Sequence, residues 1–258
     1  MERPADPTLT QPREHPTRRN WLWLILQFLL RVVFTVWLRY RARGLDKIPA
    51  EGGGLIIANH QSFLDPLLIG LPLSRPLSYV ARDTLFPVPL IGWVLRRTYV
   101  MPIKREAASS ATIRAAVERV QQGFLVGIFP EGTRCRQGEV GEFRPGFAAI
   151  VRRTKLPIYP VAIAGAHKAM PRGIWWLKRR TVTVVFGDAL PPDEVERYCQ
   201  RGQEQRLVSL VRERITALHA EAETWRRRCE SCDEGPQEGA SRLFADAPTQ
   251  AESPGQPI

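Results

Sequence analysis

The sequence predicts an α/β fold, in which a mixed, largely parallel sheet is flanked by helices and preceded by an N-terminal apolar helix. From Tyr40 onward, short apolar runs of strand length alternate with longer segments of helical composition. Before them lies one nearly continuous apolar stretch, residues 21–38. The chain has 258 residues, 44% of them hydrophobic. It can therefore bury one sizeable core, and two full domains are not expected.

Composition divides the chain into four parts. Residues 1–17 are rich in Pro, Thr and charge and are predicted to be disordered. Residues 18–43 contain the apolar helix, and residues 44–228 carry the alternating strands and helices of the folded domain. Residues 229–258 are dominated by Gly, Pro, Glu, Gln and Ser, so they are predicted to form a disordered tail.

The apolar stretch from Trp21 to Leu38 is predicted to be a membrane-associating helix. It is interrupted by Gln27 and Arg31 and has tryptophans near both ends. A crossing needs about 20 apolar residues, and a central Arg costs a few kcal/mol there. A helix in the membrane interface, or half of a re-entrant pair, suits Arg31 better than a span, and a buried core helix is the third alternative. The flanking arginines and tryptophans favour contact with a membrane.

The predicted strands and helices alternate along the rest of the chain. A buried strand over residues 54–58 ends directly before Asn59 and His60, at the strand end where open α/β sheets place their sites. The other predicted strands cover residues 77–81, 99–103, 124–129, 157–163 and 181–186. Helices are predicted over 89–97, 146–154 and within 192–228, and another, capped by Ser109 or Ser110, runs to about residue 122.

Residues 59–65 (NHQSFLD) contain a candidate base and its partner. An imidazole accepts a proton near neutral pH, and Asp65 could orient the ring of His60. On an unbroken helix their side chains would point about 140° apart, so the segment must be a loop that turns. Either Asp65 caps a helix beginning with Pro66, or Ser62 and Asp65 form a capping box with the helix starting earlier.

Residues 129–134 (FPEGTR) form a candidate anion-binding turn directly after a buried strand. Arg134, like Arg105 upstream, can hold a phosphate through two parallel hydrogen bonds. Gly132 tolerates dihedral angles that let backbone amides point towards an anion. A base and an anion site are therefore predicted at one edge of the sheet.

These two runs resemble two signature motifs of the glycerolipid acyltransferases, in particular the bacterial 1-acylglycerol-3-phosphate acyltransferase type. Residues 103–105 (IKR) resemble that family's basic motif, and residues 156–161 (LPIYPV) resemble its apolar "VPIVPV" segment. The four motifs agree in order and approximate spacing, and the similarity runs from about residue 40 to residue 187. The chain departs from the family at residues 98–101, where the family often has Gly before the basic motif.

The resemblance implies that residues 44–228 are an acyltransferase catalytic domain. The reaction implied is transfer of a fatty acyl group from an acyl thioester, acyl-CoA or acyl carrier protein, to the sn-2 hydroxyl of 1-acylglycerol-3-phosphate. The product is phosphatidic acid, an intermediate of phospholipid synthesis. His60 would take the hydroxyl proton and Asp65 would stabilise the imidazolium, a contribution of about 10²- to 10⁴-fold for a positioned base.

The same resemblance assigns the acceptor's phosphate to Arg105, Glu131, Gly132, Thr133 and Arg134. Because a carboxylate repels phosphate, Glu131 is expected to hold the arginines or a glycerol hydroxyl. The chemistry requires no cofactor, and no metal-ligand cluster is apparent in the sequence. Two alternatives stay open: another acceptor (glycerol-3-phosphate, another lysophospholipid or a lyso-amino-lipid), or a non-catalytic module that binds anionic lipid.

The charge predicts an anionic partner. The formal net charge is +11, from 37 Lys and Arg against 26 Asp and Glu. No nucleic-acid motif accompanies it, so a phospholipid surface is the expected partner and nucleic acid is not. The basic residues concentrate beside tryptophans, at Arg18, Arg19, Arg31, Arg39, Arg41, Arg43, Arg172, Lys178, Arg179 and Arg180.

Cysteine usage predicts a reducing compartment. The four cysteines are few for this length and no cleavable signal is evident, so disulfides are not expected. Cys229 and Cys232 have a metal-like spacing, but no second pair accompanies them and a zinc or redox role is not expected. The positive flanks of residues 21–38 place the predicted domain at the cytoplasmic face of the cell membrane.

Overall fold

Seven strands form one sheet in the computed structural model, which describes residues 21–82, 86–103, 110–174, 176–198, 200 and 202–234. The strands are β1 Arg41–Arg43, β2 Gly54–Ala58, β3 Leu77–Arg82, β4 Met101–Ile103, β5 Leu125–Ile128, β6 Ile158–Ala164 and β7 Thr183–Phe186. Their order is β1-β7-β6-β2-β5-β3-β4. All neighbours are parallel except β6 and β7, which are antiparallel. The predicted mixed, largely parallel sheet is confirmed.

Eight α-helices flank this sheet in the described part of the chain. They are α1 Trp21–Trp37, α2 Asp65–Gly70, α3 Pro89–Arg97, α4 Ser110–Gln121, α5 Gly146–Thr154, α6 Ala166–Ala169, α7 Pro192–Arg197 and α8 Glu204–Glu234, with a short 3-10 helix at Leu45–Lys47. The bounds of α3 and α5 are the predicted ones.

Strand β2 explains the layered architecture. Its residues are all buried, with alternate side chains on opposite faces of the sheet. Ile56 joins an apolar cluster with Phe34 of α1 and Leu68 of α2. Leu55 and Ile57 join a second cluster on the other face with residues of α4, α5 and α8. A continuous apolar strand of this kind is typical of a parallel sheet that is covered on both sides.

Helix α1 packs on the domain by one side only. Phe34 is buried in the core, and the Gln27 amide donates to the carbonyls of Leu71 (2.7 Å) and Leu73 (3.0 Å). The opposite side exposes Trp21, Leu24, Ile25, Phe28, Leu29, Val32, Val33, Val36 and Trp37. Among the described helices, none has the length and apolar character needed to cross a membrane.

The C-terminal helix corrects one predicted boundary. Helix α8 packs across β6 and β7 and continues through Cys229 to Glu234, so residues 229–234, which were predicted as part of the tail, are helical. The segment is polar, which suggested a tail, but Cys229 is buried and Arg226 pairs with Glu230 one turn on. The remainder of the predicted tail and residues 1–20 lie outside the described residues.

Candidate active site

Asn59 fixes the end of strand β2. Its side-chain amide donates to the Ile163 carbonyl at 3.0 Å, and its side-chain oxygen accepts the Ile163 N–H at 2.8 Å. Through these two side-chain bonds, the hydrogen bonding between β2 and β6 continues for one residue beyond the end of β2. His60 therefore leaves the sheet from a fixed point at the carboxyl edge.

His60 and Asp65 lie in contact. Nδ1 of His60 is 2.8 Å from Oδ2 of Asp65, and the same oxygen accepts the N–H groups of Gln61 (2.6 Å) and Ser62 (2.7 Å). The Asp65 side chain is fully buried. Burial raises the pKa of this carboxyl, whereas the hydrogen bonds from His60, Ser62 and Gln61 lower it. The two residues singled out in the sequence are brought together as a dyad.

Two side-chain contacts stabilise the loop that joins them. The Asp65 carboxylate accepts the Ser62 N–H, and Ser62 Oγ in turn accepts the N–H of Leu64 at 3.4 Å. Helix α2 begins at Asp65 itself, one residue before Pro66, and its N-cap Leu64 makes no side-chain cap bond. The helix therefore starts earlier than Pro66, but the Asp65 N–H bonds to the Ser62 carbonyl and not to its hydroxyl, so the predicted capping box is only half formed.

An aromatic neighbour fixes the plane of the His60 ring. The ring stacks on Phe129 with centroids 4.4 Å apart, and Phe129 stacks on Tyr79 in turn at 6.1 Å. The His60 side chain is 19% exposed. Because Nδ1 faces Asp65, Nε2 is the nitrogen that can exchange a proton with a substrate. Phe129 was not predicted as a site residue, although it directly precedes the PEGTR residues.

Glu131 holds the backbone of the dyad loop. Its carboxylate accepts the N–H of His60 at 3.0 Å and the N–H of Gly141. Burial raises the pKa of Glu131 to about 7, although these two hydrogen bonds lower it. A Cβ atom at Gly141 would lie 2.9 Å from Oε2 of Glu131, so a larger residue there would displace the carboxylate.

This placement differs from the predicted phosphate-binding role of Glu131. The physical reason is that a buried carboxylate beside His60 would repel the phosphate, whereas it stabilises two N–H groups that need an acceptor. Glu131 is therefore a positioning residue for the dyad loop.

The Gly132 turn is closed by its own backbone. Gly132 has φ +67°, and its N–H donates to the Phe129 carbonyl at 3.1 Å. That amide is therefore used inside the turn, contrary to the expectation that it points towards an anion. Thr133 is exposed, and the guanidinium of Arg144 lies 3.3 Å from the place where a Cβ at Gly132 would be.

Arg134 lies beside the dyad loop. Its guanidinium carbon is 3.6 Å from the ring centroid of Phe63, a residue of the first motif. The next residue, Cys135, donates its N–H to the His60 carbonyl at 2.8 Å. The two motifs therefore meet at one edge of the sheet. Arg105, the other predicted phosphate ligand, lies outside the described residues.

The described residues contain no group of three or more His, Cys, Asp and Glu side chains that could hold a metal ion. The side chains that the structure brings together at this edge are a base, a carboxylate that orients it, and a neighbouring cation. A histidine–carboxylate dyad at the carboxyl end of a central parallel strand is the arrangement expected of an α/β enzyme that uses general-base catalysis.

Comparison with known proteins identifies the family. The model of the acyltransferase family matches residues 39–164, a region that contains both motifs. A 1-acyl-sn-glycerol-3-phosphate acyltransferase of Pseudomonas aeruginosa is 34% identical over 175 residues, which are 67% of this chain and 66% of that protein. Residues 39–164 therefore form a domain of the acyltransferase family.

Two further comparisons show how much of the chain the similarity covers. A chloroplastic 1-acyl-sn-glycerol-3-phosphate acyltransferase of Brassica napus is 34% identical over 134 residues, which are 51% of this chain but only 39% of that protein. The crystal structure of a 1-acyl-sn-glycerophosphate acyltransferase from Thermotoga maritima has the same fold. Its TM-score is 0.64 at 24% identity, over 81% of this chain and 79% of that one.

Proposed function

We propose that the protein transfers a fatty acyl group from an acyl thioester to the sn-2 hydroxyl of 1-acylglycerol-3-phosphate, giving phosphatidic acid. The observation that carries this proposal is the 2.8 Å contact between His60 and Asp65, at the sheet edge where Arg134 also lies. The Pseudomonas and Brassica relatives, which are named as 1-acyl-sn-glycerol-3-phosphate acyltransferases, support this acceptor. Acyl-CoA and acyl carrier protein are the two donors to be compared.

The dyad geometry supports a single direct transfer. The acceptor oxygen attacks the thioester carbonyl carbon while its proton passes to Nε2 of His60. The Asp65 carboxylate stabilises the imidazolium through Nδ1. When the carbon–sulfur bond breaks, the thiolate leaves and takes the proton from His60, which returns the base to its neutral form. No acyl-enzyme is needed.

Arg134 is suited to the acceptor's phosphate. Stacking on Phe63 fixes the plane of the guanidinium beside the dyad loop, and a planar guanidinium can bind two phosphate oxygens through parallel N–H groups. Arg144 is exposed and packs against Gly132, so it supplies a second cation beside the same turn. We assign binding of the acceptor's phosphate to Arg134, and Arg144 is the second cation near it.

The exposed side of α1 is suited to a phospholipid surface. Large apolar side chains, among them Phe28 and Val36, line it from end to end. At its C-terminal end, Trp37 donates its indole N–H to the Leu177 carbonyl at 3.2 Å. That bond joins the helix to a segment with four exposed cations, Arg172, Lys178, Arg179 and Arg180. Apolar side chains beside cations favour an anionic membrane interface, on its cytoplasmic face.

An acceptor panel tests the proposed function. Protein purified in detergent is given acyl-CoA or acyl carrier protein, and thiol release is followed with and without each acceptor. The panel contains 1-acylglycerol-3-phosphate, glycerol-3-phosphate, another lysophospholipid and a lyso-amino-lipid, and products are identified by mass spectrometry. We expect thiol release only with 1-acylglycerol-3-phosphate and a phosphatidic acid product. Release with another acceptor alone would reassign the substrate, and no release with any would contradict the proposed function.

A further inference from the structure

Gln61 links the dyad to the C-terminal helix. It is 2% exposed, and its main-chain N–H donates to Oδ2 of Asp65 at 2.6 Å. Its side-chain Nε2 donates to the Gly138 carbonyl and lies 3.0 Å from Nε2 of His219 on α8. Its side-chain oxygen lies 3.4 Å from Nδ1 of His167. One buried side chain therefore contacts three segments while its backbone holds Asp65.

Helix α8 also holds the loop that carries Glu131. Arg212, two helical turns before His219, donates from Nε to the Gly141 carbonyl at 3.0 Å and pairs with Glu142 at 3.0 Å. Gly141 is the residue whose N–H reaches Glu131. The residues of α8 that contact residues 138–142 are seven apart, so they lie on one face of the helix.

Hydrogen-bond accounting fixes the role of His219. The Gln61 amide has two N–H groups, of which one is directed to the Gly138 carbonyl and the other to Nε2 of His219. When the ring carries its proton on Nδ1, Nε2 of His219 is the acceptor for the second N–H. A proton on Nε2 would compete with Gln61 for the Gly138 carbonyl.

The surroundings of His219 agree with a neutral ring. Burial lowers the pKa of His219, and the cation Arg226 lowers it further, whereas Glu223, the Gly138 carbonyl and Glu139 raise it. The pKa of His167, the other ring at Gln61, is also lowered, first by burial and then by Lys168.

We propose that His219 and Gln61 are positioning residues for acyl transfer: His219 orients the Gln61 amide, and Gln61 holds the turn in which Asp65 meets His60. Helix α8 lies outside residues 39–164, the region that the family model matches. The dyad is therefore supported by a helix outside the region that the family model matches. The inference rests on the proposed function, since its main readout is the rate of acyl transfer.

Two substitutions at one position separate hydrogen bonding from packing. His219→Leu removes the acceptor, whereas His219→Gln can place an amide oxygen near the former position of Nε2. Thr216→Val is the control, because Thr216 is exposed on the same helix and its hydroxyl bonds only within it, to the Arg212 carbonyl. We expect His219→Leu to lower kcat about tenfold with KM for the thioester within about twofold, since misplacement of a base slows chemistry rather than binding.

The paired variants then decide the outcome. His219→Gln should keep kcat within about threefold of wild type, and Thr216→Val should match wild type. A folded His219→Leu protein with wild-type kcat would overturn the inference, and so would a His219→Gln protein as slow as His219→Leu. If His219→Leu does not fold, Gln61→Met tests the same link, because it keeps the main-chain N–H and removes the amide. Wild-type kcat in Gln61→Met would overturn the inference as well.

A readout without turnover separates this inference from the proposed function. Amide hydrogen exchange of the peptide that contains residues 60–65 should be faster in His219→Leu than in Thr216→Val, because the turn loses a support. Equal exchange in the two variants would overturn the inference even if wild type transfers acyl groups. If exchange is faster in His219→Leu but the wild-type protein transfers acyl groups to no acceptor, the positioning role stands. Only the proposed function is then contradicted.

Discussion

The guanidinium of Arg134 lies 3.6 Å from the ring centroid of Phe63, although the two residues belong to motifs that are far apart in the chain. The Phe63 ring is 62% exposed, so the stacked pair lies at the surface next to the dyad. The Arg134–Phe63 contact and the Cys135–His60 hydrogen bond therefore hold the cation near the base.

Replacing Arg134 with Lys should weaken binding of the acceptor but not binding of the acyl thioester. Lysine keeps the charge but loses the planar fork and the stack on Phe63. We expect KM for the phosphorylated acceptor to rise about tenfold or more, with KM for the acyl thioester within about twofold. Steady-state kinetics with each substrate varied in turn measures this. Arg136→Lys, at an exposed arginine two residues on, is the control; equal effects at both positions would remove Arg134 from the phosphate site.

Gly141→Ala should disturb the dyad from a distance. The added Cβ would lie 2.9 Å from Oε2 of Glu131, so the carboxylate that holds the His60 N–H must move. We expect kcat to fall about tenfold, because small displacements of a base are costly. Gly146→Ala is the matched control, since nothing lies within 4 Å of a Cβ at that position. If both alanine variants turn over at the wild-type rate, Glu131 does not position His60.

The pH dependence of the free energy of unfolding should reveal the raised pKa of Glu131. Its pKa is raised from 4.5 to about 7 in the folded protein. The folded state therefore binds more protons than the unfolded state between these values, and the contribution of Glu131 to stability is lost as pH rises through that window.

Urea unfolding of wild type and Glu131→Gln at several pH values measures that difference, because glutamine does not titrate. Wild type should lose free energy of unfolding relative to Glu131→Gln as pH rises from about 4.5 to about 7. A difference that is constant across the window, or that changes in the opposite direction, would show that the pKa of Glu131 is not raised.

Removing apolar side chains from the exposed side of α1 should weaken membrane binding without unfolding the domain. Phe28 and Val36 are 67% and 66% exposed, so Phe28→Ser combined with Val36→Ser removes little from the core. We expect the fraction that co-sediments with anionic liposomes to fall several-fold, with the melting temperature unchanged within a few degrees. Thr35→Ser, an exposed position on the same helix, should bind as wild type does. Unchanged binding of the double variant would exclude this side as the membrane contact.

The sequence predicted the dyad and most of the sheet because these depend on local patterns. A continuous apolar run such as residues 54–58 can only be a strand or a buried helix, and its length decided between them. The five-residue step from His60 to Asp65 excluded a helix, and the structure has a turn there. The alternation of strands and helices then placed the turn at the carboxyl edge of the sheet.

Other features depend on contacts between distant segments, and local patterns do not encode them. Strand β1 is only Arg41–Arg43, without an apolar pattern, and it forms because β7 supplies its hydrogen-bond partners. The role of Glu131 depends on Gly141, and the role of Gln61 depends on Gly138 and His219. One signal was available in the sequence: Arg212, His219, Glu223 and Arg226 follow the spacing of one helix face, which predicts a polar stripe beside the apolar one.

The central claim is that His60 is a base oriented by Asp65, and acceptor-dependent thiol release measures it most directly. Wild type, His60→Ala and Asp65→Asn, matched for melting temperature, are compared at saturating acyl-CoA and 1-acylglycerol-3-phosphate. We expect His60→Ala to abolish release and Asp65→Asn to lower kcat about 10²- to 10⁴-fold, because asparagine cannot stabilise the imidazolium. Turnover by His60→Ala at the wild-type rate would contradict the mechanism.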